Sequence, residues 1–193
     1  MFHEKPTPGP KLPFPLRNHC VAWLEEEILF VTGGISAEDK TQDQLILIDL
    51  GTNSAITLDS SPMLTARAYH GCAAFGRRMV VAGGFGDQSN SVEMFTYINA
   101  PSDGSWQALT PLPEPRIYLT LKWSKTGSLI VAGGYNKNLP ESIALLNYNW
   151  REDQWVKWEQ NSTRRQHSSL IPSTNKYDFY LFVLFTQNTR FWF

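Results

Sequence analysis

Three Gly-Gly doublets close apolar runs at Gly33-Gly34, Gly83-Gly84 and Gly133-Gly134, and successive doublets stand 50 residues apart. A second anchor keeps step with them: Arg17, Arg67 and Arg116 lie 16, 16 and 17 residues ahead of their doublets, and Arg165 continues the series. A unit of about 50 residues that reads as short strands cannot bury both faces of its own sheet and must stack on its neighbours. That period is the one expected of a propeller blade.

Each repeat is led in by proline, at Pro13-Phe14-Pro15, Ser61-Pro62-Met63 and Pro111-Leu112-Pro113 with Pro115, which suits links between blades where no ladder donor is needed. Four strands are predicted per repeat from β-branched and aromatic runs bounded by glycine, asparagine or charge. The first follows the arginine, at 19–24, 70–75 and 118–123. The second is a near-continuous apolar run into the doublet, at 28–32, 79–82 and 129–132, as expected of a strand covered on both faces. A third is read at 44–50, 91–97 and 142–148, and a fourth carries Trp106 or Trp155. The glycine and proline spacing leaves little room for helices. A phosphate loop is set aside because Gly83-Gly84-Phe85-Gly86 lacks the required spacing and the following Lys-Ser or Lys-Thr.

Composition narrows the function classes. Of 193 residues, 42% are hydrophobic and 18% charged, an ordinary globular balance. With 17 basic and 18 acidic residues the net charge is −1, so no overall field favours nucleic acid or an anionic membrane as partner. Cys20 and Cys72 stand in apolar company and read as free buried thiols, too few for a disulfide framework and unpaired for zinc. Residues 1–10 are broken by prolines and lack the apolar centre of a signal peptide. The tract 179–185 is far shorter than the roughly 20 residues of a membrane span. The expectation is a soluble chain in the reducing cytoplasm, without cofactor or metal.

Taken together, the anchors resemble the kelch repeat. The middle repeat supplies Arg67, Gly83-Gly84-Phe85, Tyr97 and Trp106; the third supplies Arg116, Gly133-Gly134-Tyr135, Tyr148 and Trp155. The first has Asp49-Leu50 where the aromatic is expected and no tryptophan around Ser54-Ala55-Ile56. The fourth begins with Arg164-Arg165-Gln166-His167 but has Leu181-Phe182 where a doublet is due. The resemblance implies an all-β segment of a kelch-type β-propeller built of four-stranded antiparallel blades. It divides as a proline-rich lead-in with the end of a preceding blade strand (1–15), three repeats (16–61, 62–112, 113–160) and a partial fourth with an aromatic tail (161–193). Kelch propellers usually close with about five to seven blades. Three and a half units leave a blade face open, which predicts a piece of a longer protein's ring, a chain that associates with itself or with another chain, or a small four-bladed ring completed by the N-terminal segment; the first is the expectation adopted.

Such proteins bind at the mouth of the central channel. In kelch adaptors, arginines at the start of the first strand form a basic rim for acidic peptides, which maps onto Arg17, Arg67, Arg116 and Arg165, since guanidinium forks grip carboxylates bidentately. The competing role for these arginines is hydrogen bonding to loop carbonyls within the blades. His70, with His19 and His167, recurs beside them and joins the candidate partner-binding set; Tyr118 in the equivalent place of the third repeat argues against a metal site. Trp155 and Trp158 beside Lys157, Arg164 and Arg165 read as a loop next to a core aromatic, not as a nucleic-acid platform. The function expected is a non-catalytic scaffold or adaptor for a protein or peptide, serving a ubiquitin ligase or the cytoskeleton. The alternative is a fragment of a carbohydrate-active enzyme similar to galactose oxidase or sialic-acid mutarotase.

Overall fold

The structure, a computed structural model, describes residues 8–25, 27–85, 89–124, 127–136, 138, 145–157, 168–172 and 179–183. Three repeats each fold into one four-stranded antiparallel sheet. Blade 1 is β2 (Cys20–Glu25), β3 (Ile28–Thr32), β5 (Leu45–Asp49) and β6 (Ser54–Thr57), with a small pair of β1 (Leu16–Arg17) and β4 (Ile35–Ser36) at its doublet end. Blade 2 is β7 (Gly71–Phe75), β8 (Arg78–Ala82), β9 (Val92–Thr96) and β10 (Ser105–Leu109). Blade 3 is β11 (Ile117–Trp123), β12 (Leu129–Tyr135), β13 (Leu145–Asn149) and β14 (Gln154–Lys157). The fourth repeat contributes the hairpin β15 (Ser168–Pro172) and β16 (Phe179–Val183), lying against β11 and β12. The structure is thus the all-β, blade-by-blade architecture that the repeat predicts. Blade 1 completes its sheet even without the tryptophan, because β6 needs only backbone pairing with β5.

The doublets and arginines share a period because they meet across blades. Gly34 N–H donates to the Arg67 carbonyl at 2.8 Å, and Gly84 N–H to the Arg116 carbonyl at 2.7 Å. The approach leaves no room for a side chain: a Cβ on Gly33 would lie 2.3 Å from the Arg67 oxygen, and one on Gly83 2.6 Å from that of Arg116. Both glycines hold positive φ, 56° and 64°. Closer to the axis runs a second thread. Asn18, Tyr69 and Tyr118 open the innermost strands in left-handed conformation, with φ of 56°, 56° and 57°. Tyr69 N–H donates to the Asn18 carbonyl at 3.0 Å and Tyr118 N–H to that of Tyr69 at 2.8 Å. At the rim, Trp106 Nε1–H donates to the Ser61 carbonyl and Trp155 Nε1–H to that of Thr110, both at 2.9 Å, so each repeat tryptophan pins the link that precedes its own blade.

Apolar burial lies between blades. Ala22, Leu24, Phe30 and Leu45 of blade 1 pack against Met79, Phe95 and Tyr97 of blade 2. Ala73, Val80 and Met94 of blade 2 pack against Leu119, Leu121, Trp123 and Val131 of blade 3. Val21 and Trp23 alternate onto the other side of β2 and are 49% and 58% exposed.

One sequence expectation is overturned here. Cys20 and Cys72 are not free thiols; they form a disulfide between the innermost strands of blades 1 and 2, with their Cα atoms 6.0 Å apart. The register explains it. Cys20 pairs with Thr32 and Gly71 with Ala82, each partner sitting just before its doublet, so Gly71 is the counterpart of Cys20 and Cys72 falls one residue later, on the opposite face. Opposite faces of neighbouring blades look at each other. The support that free thiols gave to a reducing compartment goes with them. Among the described residues no helix is long and apolar enough to cross a membrane.

Candidate functional site

Of the four candidate arginines, three are described and Arg165 lies outside the described residues. Each of the three meets a carboxylate of its own chain: Arg17 pairs with Asp39, Arg67 with Glu93 and Arg116 with Glu114. Their settings differ sharply. Arg17 is exposed, as is Asp39.

Arg67, 1% exposed, is sealed inside blade 2. Its Nη1 donates to the Gly83 carbonyl at 2.9 Å and the Ser91 carbonyl at 3.1 Å, and its Nη2 to Ser91 Oγ at 2.8 Å as well as to Glu93. The other Glu93 oxygen accepts the Leu64 N–H at 2.7 Å. Burial pulls the Arg67 guanidinium below the usual arginine range, and the Glu93 charge opposes that shift. Placing Arg67 on a partner-binding rim is therefore corrected: the side chain is buried, and its two Nη groups are spent on Gly83, Ser91 and Glu93 of the same blade.

The acid is peculiar to blade 2. Val31, Val81 and Val131 are equivalent in register, and their partners are Ile46, Glu93 and Leu146. With an apolar residue in that place, blade 3 leaves Arg116 to reach Glu114, whose side chain is 32% exposed. Burial lowers the Arg116 pKa too, with Glu114 opposing.

His70 is likewise corrected from rim to interior. Its Nε2 lies 2.9 Å from Thr32 Oγ1, bridging blades 2 and 1. Burial pushes its pKa down to about 3, reinforced by the charges of Arg67 and His19, so it is neutral at pH 7. The neighbouring His19 is lowered by burial as well. His167 lies outside the described residues. Among the described residues no group of three His, Cys, Asp or Glu is placed to hold a metal.

What the structure does open is a cleft of about 350 Å³ at the doublet end of the junction between blades 2 and 3. Phe85 and Tyr135, the residues following two doublets, stand on adjacent blades; Pro115 and Ile117 complete the apolar lining, and Arg116 and Asn136 bring polar groups. The walls are pinned by backbone. Phe85 and Ala68 exchange two hydrogen bonds, at 2.6 and 3.1 Å, and Arg116 N–H donates to the Ser89 carbonyl at 3.2 Å. Asn138 N–H donates to Asn136 Oδ1 at 2.9 Å, fixing the opposite lip. On that rigid base Phe85 is 61% exposed, whereas its counterpart Ile35, bridged to Thr41, is buried. Sequence reasoning treated the residue after the doublet as part of the repeat signature and did not single out Phe85 as a contact residue. The available signal was the aromatic at this place in two adjacent repeats and an aliphatic in the first.

Residues 66–113 match the family model of the Kelch motif. The match begins just before Arg67 and ends beyond β10, so it frames blade 2 as one complete kelch repeat. No curated protein matches the chain significantly.

Proposed function

We propose that this kelch-repeat chain is a non-catalytic interaction scaffold or adaptor, which holds a protein or peptide partner in the cleft between blades 2 and 3. The observation that carries the reading is Phe85, an aromatic ring left 61% exposed on a backbone held by two hydrogen bonds to Ala68, lining the same cleft as Tyr135. Exposed aromatics on a rigid base supply contact area at little entropic cost. Kelch repeats commonly serve protein interaction, and the finer form of the proposal is an adaptor, for a ubiquitin ligase or the cytoskeleton, acting in the cytoplasm. An acidic partner would engage Arg116 by displacing Glu114, whose partial exposure makes it the replaceable member of that pair. Between this reading and a carbohydrate-active fragment, the exposed Phe85 ring is the specific observation that favours the scaffold.

The test is to pan a random displayed peptide library against the folded chain. Selected peptides are expected to lose at least tenfold in affinity on Phe85→Ala, with the melting temperature unchanged. Recovery of no binder, or of binders indifferent to both Phe85→Ala and Tyr135→Ala, would refute the site. Sugar oxidation or epimerisation by the purified chain, with copper supplied, would refute the non-catalytic reading.

A further inference from the structure

The Cys20–Cys72 bridge occupies a slot that the next junction fills differently. Cys72 pairs with Val81 and Leu121 with Val131, so the counterparts of Cys20 and Cys72 at the junction of blades 2 and 3 are Gly71 and Leu121. There the leucine packs directly onto the glycine: a Cβ on Gly71 would meet Leu121 Cδ1 at 2.6 Å. An apolar knob in a hole holds blade 3 permanently, while a sulfur bridge holds blade 1. The apolar cores differ in the same sense. At the junction of blades 2 and 3, β11 brings Leu121 and Trp123, whereas the same places of β7 bring only Cys72 and Ala74 to the junction of blades 1 and 2. Both cysteines are only partly buried, so small thiols can reach the bond.

We propose that the disulfide is a redox latch that governs the docking of blade 1 on blade 2. To close it, the thiolate of one cysteine attacks a low-molecular-weight disulfide and releases one of its halves as a thiol. The second cysteine's thiolate then displaces the other half, so two protein thiols are oxidised and one small disulfide is reduced to two thiols. Opening is the reverse exchange. The closed latch ties residues 52 apart in sequence and removes conformational freedom from an undocked blade 1. The open latch leaves blade 1 held by its remaining core and by hydrogen bonds across the junction, among them those of Gly34, Asn18, Thr32 and Trp106. Blades 2 and 3 keep their own junction in either state. This inference stands apart from the proposed peptide cleft, which lies at the other junction.

Hydrogen exchange of the full chain, read by mass spectrometry across a series of glutathione to glutathione-disulfide ratios, tests the latch. Reduction is expected to speed exchange in β2 to β6 about a hundredfold and to leave β11 to β14 within twofold. The double variant Cys20→Gly, Cys72→Leu copies the Gly71 and Leu121 pair; it should keep blade 1 protected and ignore the glutathione ratio. Equal protection of blade 1 in both redox states would overturn the proposal, as would a bond that glutathione fails to reduce. Loosening spread evenly over all blades would also overturn it, leaving the disulfide a general stabiliser. Should the double variant not fold, the titration of the unaltered chain still decides.

Discussion

Replacing Gly33 by alanine separates two reasons for a glycine that are usually confounded. Gly33 has φ of 56°, and Gly76, in the turn between β7 and β8, has φ of 53°. The backbone conformations match, but a Cβ at Gly76 meets nothing within 4 Å, while one at Gly33 falls 2.3 Å from the Arg67 carbonyl oxygen and 2.9 Å from His70 Cε1. Left-handed backbone costs alanine about 1–2 kcal/mol at either site. At Gly33 the carbonyl must also retreat by about 1 Å to reach ordinary C···O separation. That retreat sacrifices the Gly34 to Arg67 hydrogen bond, about 1 kcal/mol, and strains the junction by about 1–3 kcal/mol. The expected losses are about 1–2 kcal/mol for Gly76→Ala and about 3–6 kcal/mol for Gly33→Ala. For a chain of 193 residues each kcal/mol lowers Tm by about 2–4 °C, so thermal melts followed by far-UV circular dichroism resolve the difference, with urea titration as the second measure. Equal losses at the two sites would refute the argument and leave the doublets a matter of backbone conformation alone.

Further outcomes follow from the buried polar groups. Arg67→Met strands the Glu93 carboxylate and should cost about 3–5 kcal/mol in urea unfolding, whereas Arg17→Met, removing an exposed pair, should cost under about 1 kcal/mol. His70, with a native pKa of about 3 against an ordinary 6.5, stays neutral when folded but binds a proton when unfolded. Its contribution is fully present above pH 6.5 and drains away by about 1.4 kcal/mol per unit as the pH falls toward 3. Urea midpoints compared with those of His70→Gln should expose that slope; parallel pH profiles would mean that His70 is not held neutral.

The features most legible in the sequence were those that touch a copy of themselves one blade away. Gly34 and Gly84 recur at a fixed distance from Arg67 and Arg116 because their amides bond those arginines' carbonyls, and Trp106 and Trp155 recur because both pin a preceding link. The side-chain work of the arginines was less legible, because it depends on one residue outside the repeat signature. Glu93 sits between Val92 and Met94, and a carboxylate inside an apolar strand was the available sign that Arg67 turns inward. The disulfide needed the register, since Cys20 and its counterpart Gly71 are 51 residues apart, and a spacing of 52 adds the one residue that turns Cys72 to the opposite face, toward Cys20. Phe85 escaped because Ile35 and Phe85 hold one place in the repeat, and the bridge from Ile35 to Thr41 belongs to a loop that varies between repeats.

The thread from Asn18 through Tyr69 to Tyr118 gives the chain a direction in time. Tyr69 and Tyr118, near the starts of β7 and β11, donate their amides to the blade already made, and the doublet bond of that earlier blade is completed by the arginine that arrives 33 or 32 residues after the glycine. A ribosome adding roughly 5–20 residues per second takes about 2–7 s over that stretch, while a hairpin closes in microseconds. Blades can thus dock singly, in the order of synthesis, before the next hydrophobic face emerges to compete for them. Chains stalled at increasing lengths should gain protease resistance in steps of about 50 residues; a single late step would mean that docking waits for the whole chain.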